Sequence, residues 1–450
     1  MSHTRTRFTR IATATAAATL AITALAGCSS DGGDAGTTTL TFRTWDENAA
    51  AAYQESFDAF TKENPDITVT IDIIPWADYF TKLRTDIAGG SAADLFWINN
   101  SSYSGYASSG ALLSIDDLYG ADADSAKEGW APAVVDQFTQ DDTLWGIPQT
   151  SDGGIGIYYN KDLLEAAGLT PDDLQNLTWS PDGTDDTLLS TAQKLTIDSA
   201  GKTADEDGFN GDDIAQYGYN AAQDLQAIYL PFIGSNGGTY QDGDEFTFTN
   251  PKTEEAFQYL VDLINTYHVS PSAADTNENG NFSLDAFTQG KLALFQSGLY
   301  NLANIADTVD FDWGVAPLPA GPAGAVSVTN GIAVVGNAKS EHADATAKLL
   351  KWLGSEEGNS YIGAEGANLP GVLAAQQVYL DYWTGKDVDV QPFFDVIDGA
   401  ETIPAPVGEN FNAAYAAYTP ILSQVFLGQL SVEDGLQQAD DAANAAVNGG

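Results

Sequence analysis

Between residues 40 and 98 the hydrophobic pattern changes period again and again, and this alternation most constrains the fold. Leu40 to Thr44 reads as a short strand. Tyr53, Phe57 and Phe60 then recur at i, i+4 and i+7, one face of a helix, until Asn64-Pro65-Asp66 breaks it. Ile67, Val69, Ile71 and Ile73 alternate, which is strand periodicity. Trp76, Phe80, Leu83 and Ile87 return to helical spacing, which Gly89-Gly90 ends. Asp94 to Ile98 is a compact apolar strand. A β-α-β-α-β order predicts an α/β domain with a mainly parallel sheet, and such sheets bind ligands beyond the carboxyl ends of their strands. Those ends are Trp45-Asp46 and Asn99-Asn100. Further on, Asn250 and Pro251 read as the N-cap and first-turn Pro of a helix carrying Phe257, Leu260, Val261 and Ile264. Other helices are expected around Ala343, Ala347 and Leu350, and from Val432 to Val447.

The N-terminus has its own pattern. Arg5, Arg7 and Arg10 precede an Ala/Thr/Leu/Ile run from Ile11 to Ala26, and Leu25-Ala26-Gly27-Cys28 follows. This reads as an export signal over residues 1–27. The tetrad resembles a bacterial lipobox, which implies that Cys28, the one cysteine of the chain, is lipidated and anchors the protein on the extracellular face of the cytoplasmic membrane. Residues 28–39 read as a flexible tether.

With a single Cys there is no intrachain disulfide, so the fold must rest on its apolar cores; 450 residues suffice for two. Seventeen Lys and Arg face 63 Asp and Glu, a formal charge of −46, and three of those cations lie in the leader. Nucleic acid is thereby a poor partner and an anionic ligand is disfavoured. Only His3, His268 and His342 occur, which excludes a His-rich metal site. The acidic run Asp205-Glu206-Asp207 lacks EF-hand spacing and reads as a solvated loop. No GxSxG, P-loop, HExxH or CxxC motif is present, so neither an enzyme nor a cofactor is expected.

Several segments in order resemble the maltose-binding-like family of extracellular solute-binding proteins: FTKENPDITV at 60–69, AGGSAADL at 88–95, GYASSGALLSIDDL at 105–118, YYNKDLLEAAGLT at 158–170, GGTY at 237–240, FTQGK at 287–291, SGLY at 297–300 and NLP at 368–370. The resemblance spans nearly all of the chain after the leader. It implies two α/β lobes joined by three crossings with a ligand cleft between them, residues 40–148 with 291–334 forming the first lobe and 149–290 with 335–450 the second. It further implies a monomer that captures a carbohydrate and hands it to the permease of an ABC importer. A lipoprotein glycoside hydrolase or lyase, and a binder of peptide or polyamine, stay open as alternatives.

A sugar site needs aromatic faces for ring C–H groups and Asp, Asn, Gln or backbone partners for hydroxyls. The candidates are Trp45, Asp46, Asn99, Asn100 and Ser101 at strand ends. The resemblance adds Asp152 before the first crossing, the turn Asn236-Gly237-Gly238, Tyr300 as a stacking ring, Asn301 and Asn330 on or beside crossings, Asn368, and Phe411 as a late aromatic platform. Each has a plainer reading as a turn or packing residue.

Overall fold

The computed structural model describes residues 37–151, 153–396, 402–403, 406–408 and 410–449. The opening alternation forms as its periods predict. β1 (Thr38–Thr44) leads into α1 (Glu47–Glu63), β2 (Ile67–Ile73), α2 (Trp76–Gly89), β3 (Leu95–Asn99) and α3 (Asn100–Ser108). Asp46 starts α1 by accepting from the backbone N–H groups of Asn48 and Ala49, at 2.8 and 3.1 Å. Gly90 ends α2 with φ of 72°, a conformation that costs a residue with Cβ. β4 (Ile147–Ser151) and β5 (Ile155–Asn160) follow. The later elements used here are α4 (Pro251–Asn265), β6 (Leu294–Gly298), β7 (Trp313–Ala316), β8 (Ser327–Val328), β9 (Gly331–Gly336), α5 (Ala343–Leu353), α6 (Glu356–Ala364), α7 (Gln391–Asp395), β10 (Thr402–Ile403), α8 (Phe411–Phe426) and α9 (Val432–Asn448).

Two sheets organise the chain. The first has the order β2-β1-β3-β9-β4 and the second β6-β5-β7. β1 pairs in parallel with β2 and β3, but β9 runs antiparallel to β3 and β4. The sheet is therefore mixed, not mainly parallel. All five residues of β3 are buried, because helices cover both faces of this central strand.

Each sheet has its own core. Phe42, Tyr53, Trp97, Ile147 and Val334 meet in the first, and Trp179, Phe232, Phe257 and Tyr418 in the second. Burying each such side chain stabilises by roughly 1.5–3 kcal/mol. A third cluster around Tyr158, Phe295, Tyr379 and Phe393 sits beside the crossings.

The chain passes between the sheets three times: from Ser151 to Ile155, from Ala316 to Gly331, and around Leu369–Tyr379. This differs from the segments expected above. β6 and β7 hydrogen-bond to β5, so residues 294–316 belong with the second sheet. Leu349, Leu350, Leu353 and Ile362 of α5 and α6 pack into the first core. Resemblance placed the number of crossings well, but strand pairing decides where they fall.

Candidate functional site

The carboxyl ends of β1, β3 and β4 and the amino end of β9 share one edge of the first sheet. Register fixes this: Ile332 lies opposite Asn99, and Gly331 opposite Ser151. Asn330, just before β9, thus joins Asn99 and Asn100. All three are buried, and each has a side-chain Oδ1 without a hydrogen-bond partner among the described residues. Leaving one such acceptor buried and unpaired costs about 1–3 kcal/mol. Three together at strand ends make this edge a candidate site for a donor-bearing guest. Ser101 is buried beside them.

On β1 the predicted pair divides its roles. Asp46 caps α1 with Oδ1, and its Oδ2 accepts from Asn368 Nδ2 at 3.2 Å. Two candidates distant in sequence are thus brought together. Burial pushes the Asp46 carboxyl above its ordinary value, against the pull of the Ala49 N–H and the Asn368 amide. Trp45 lies edge-on to Trp76, Tyr79 and Trp97, with centroids 4.8–5.2 Å apart. Trp76, whose helical spacing predicted a core residue, is 54% exposed. It is the first residue of α2, so it packs on Trp45 and Phe80 and leaves one face open.

The second lobe holds further candidate groups that the sequence reading missed. Asp224 is exposed, and its Oδ1 accepts from the N–H groups of Gln226 and Ala227 at the start of the helical turn Leu225–Tyr229. Surrounding protein nonetheless raises its pKa through desolvation. Tyr415 of α8 is 39% exposed and close enough for the Asp224 charge to raise its own pKa, after burial as the larger cause. Its ring rests on Phe411 and Tyr418. Below, the Tyr418 and Tyr240 hydroxyls share a 2.6 Å hydrogen bond.

Other candidates hold packing or fastening contacts, though Asn236 also keeps a buried Oδ1 without a hydrogen-bond partner among the described residues. Phe411 is buried and stacked on Phe246, so it is a core residue; the open ring is Tyr415, one turn later. Asn236 donates to Lys252 O at 2.7 Å and Glu255 Oε2 at 3.0 Å, which fastens the helix Leu230–Ser235 to α4. In the same joint Gly237 has φ of 75°, and a Cβ on Gly238 would lie 2.8 Å from Thr253 Oγ1. Tyr300 is partly buried against the second core, with its ring laid over Gly298, where a Cβ would meet it at 2.2 Å. It follows β6 and so lies inside the second lobe, not at a crossing. The same holds for Asn301, which donates to Ser297 Oγ. Asp152 and Cys28 lie outside the described residues.

Among the described residues no group of three His, Cys, Asp or Glu could hold a metal ion, and no helix is long and apolar enough to cross a membrane. In the acidic loop, Asp205 and Glu206 accept from Thr203, and Lys202 Nζ donates to the Asp207 carbonyl.

Two α/β lobes, three crossings and a cleft floored by strand ends define a two-lobe binding protein of the maltose-binding type. The family described as bacterial extracellular solute-binding protein matches residues 44–360, and the chain belongs to it. The crystal structure of M. tuberculosis UspC is similar at 52% identity and TM-score 0.71, over 91% of this chain and all of that one. An ABC substrate-binding protein from Listeria monocytogenes, in complex with cycloalternan, superimposes with TM-score 0.77 at 24% identity, covering 92% and 99%. The maltodextrin-binding protein MdxE of Bacillus subtilis is 26% identical over 397 residues, 86% of this chain and 84% of its own.

Proposed function

We propose that this chain captures a carbohydrate between its lobes and delivers it to the permease of an ABC importer. One observation carries the reading. Unpartnered amide acceptors lie at the strand ends of one lobe, next to α3, against which packs α8, the helix that carries the open ring of Tyr415 beside Asp224, and Trp76 leaves a ring face open at the same sheet edge. Sugar hydroxyls donate to such acceptors, and ring C–H faces pack on such rings. Relatives named for maltodextrin and arabinooligosaccharide binding support the same class of ligand. In this reading Trp45, Asn99, Asn100, Ser101 and Asn330 serve the ligand from the first lobe. Asp224 and Tyr415 serve it from the second, and Asp46 with Asn368 positions the floor.

Binding works by closure. A ligand shifts an open–closed balance only by its differential affinity for the two states, and contacts from both lobes supply that difference. The protein is a monomer held at the extracellular face through lipid on Cys28. It releases its sugar unaltered, because binding needs acceptors and rings and no nucleophile.

The test is a glycan array followed by titration calorimetry and chromatography of the recovered ligand. Saturable binding with intact sugar is the expected result; shortened products that track the purified protein would replace the reading with a hydrolase. For the anchor, Cys28→Ala should leave the protein outside the membrane fraction, and a mutant that keeps its lipid label and stays membrane-bound would reject the lipobox.

A further inference from the structure

The third crossing leaves the first lobe as an added strand. It runs beside β4, the edge of the first sheet: Ser151 N donates to Leu369 O at 2.9 Å, and Thr150 bridges Pro370. Three consecutive amides then donate to groups of the first lobe. Gly371 N reaches Gln149 O at 2.9 Å, Val372 N reaches Asn359 Oδ1 at 2.9 Å, and Leu373 N reaches Gly129 O at 3.0 Å. Tyr379, a little further on, already packs with Tyr158 and Phe295 of the second sheet. The bend between the lobes therefore falls after Leu373.

One side chain ties this stretch to its lobe. Asn359 of α6 is fully buried, and both ends of its amide are paired. Its Nδ2 donates to Gln149 O at 3.1 Å, and its Oδ1 accepts from Val372 N. The β4 side is fixed in turn. Gln149 Nε2 donates to Leu353 O at 3.0 Å, and Gln149 Oε1 accepts from the Tyr53 hydroxyl at 2.7 Å. Pro370 has no N–H, so the added strand cannot form a full ladder with β4. In extended chain a slip of one residue turns each side chain to the opposite face. Asn368 stands at the start of the stretch, where its Nδ2 reaches Asp46 Oδ2 at 3.2 Å. A slip would carry it off Asp46.

We infer that Asn359 is a positioning residue for ligand capture: it holds residues 368–373 on the first lobe in the register that brings Asn368 to Asp46 on the cleft floor. The inference rests on the carbohydrate reading and deepens it. Unlike Asn99, Asn100 and Asn330, Asn359 keeps no unpaired acceptor for a guest, so it acts through Asn368. Asn368 then travels with the first lobe, and bending is left to residues 374–378.

The experiment is a double-substitution cycle in the intact protein, with linear gluco-, manno-, galacto- and arabino-trisaccharides as probes in titration calorimetry. For the series that binds, Asn359→Ala should raise Kd about tenfold and lower Tm. In an Asn368→Ala background the same substitution should still lower Tm but change Kd by less than about twofold. Hydrogen exchange on the unsubstituted protein tests the register without any variant. The Gly371, Val372 and Leu373 amides should exchange as slowly as those of β4, with and without sugar. A lowered Tm with unchanged Kd would make Asn359 a packing residue, and equal loss of affinity in both backgrounds would mean that it does not act through Asn368. Either result overturns the inference, as does fast exchange of the three amides in the empty protein. Absence of binding by every trisaccharide overturns the carbohydrate reading, and the role in capture with it.

Discussion

At the scale of single residues, neighbours on one helix turn have opposite duties. Tyr415 offers an open ring, whereas Phe411 is stacked in the core. Tyr415→Ala should therefore weaken sugar binding tenfold for each ~1.4 kcal/mol lost, with little change in Tm. Phe411→Ala should cost about 3–5 kcal/mol of stability and leave affinity in the surviving fold near wild type. Melting curves beside calorimetric titrations separate the two, and the opposite pattern would restore Phe411 as the platform. Asp224 supplies a pH test. Desolvation raises its pKa above the ordinary carboxylate value, and only the ionised form accepts hydroxyls through both oxygens. Affinity should then be full at neutral pH and fall as the pH drops through that raised pKa. Asp224→Asn should flatten this limb of the profile, and a profile unchanged by the substitution would remove Asp224 from the site. The place of Trp45, Asn99 and Asn100 at strand ends was legible in the sequence because strand ends follow from periodicity. Asp224 was not, since nothing local distinguishes it from the many other surface acids.

At the scale of elements, legibility followed sequence distance. β1 to β3 and their helices were readable because each period is local, and Gly90 and Asn250 mark their helix boundaries by chemistry alone. α8 was not read: its Ala-rich face and internal Pro420 blur the apolar stripe. β9 inserts between β3 and β4 from 232 residues beyond the end of β3 and 180 beyond the end of β4, and no local signal announces that pairing. The first crossing shows a constraint that only packing reveals. Gly154 N donates to Phe393 O at 2.6 Å, and a Cβ on Gly156 would lie 3.0 Å from the Phe393 ring. α7 thus clamps the strand that leaves the crossing. Gly156→Val should force Phe393 aside and cost about 1–3 kcal/mol as overpacking. Phe393→Ala should cost about 3–5 kcal/mol as a cavity, and in its background Gly156→Val should be tolerated better than in wild type, because the added methyls enter the space the ring has left. Additive losses in a double-mutant cycle by chemical denaturation would show that the two do not share this contact.

At the scale of the whole molecule, two cores that share three crossings make hinge closure the natural response to a ligand that touches both lobes. Small-angle scattering should give a smaller radius of gyration with saturating sugar than without it. An unchanged radius would mean that the long contacts of Asn100 and Ser102 with the second lobe already hold the empty protein closed. The crossings also bear on how such a chain can be made. The first sheet cannot join β4 to β3 until β9, residues 331–336, is available. Closing so long a loop is slow relative to local contacts. The first lobe can therefore not lock while most of the chain is still emerging from the ribosome. A polypeptide threaded through a narrow channel before folding would gain from such a late-arriving strand, because its first sheet stays open for as long as that strand is still being made.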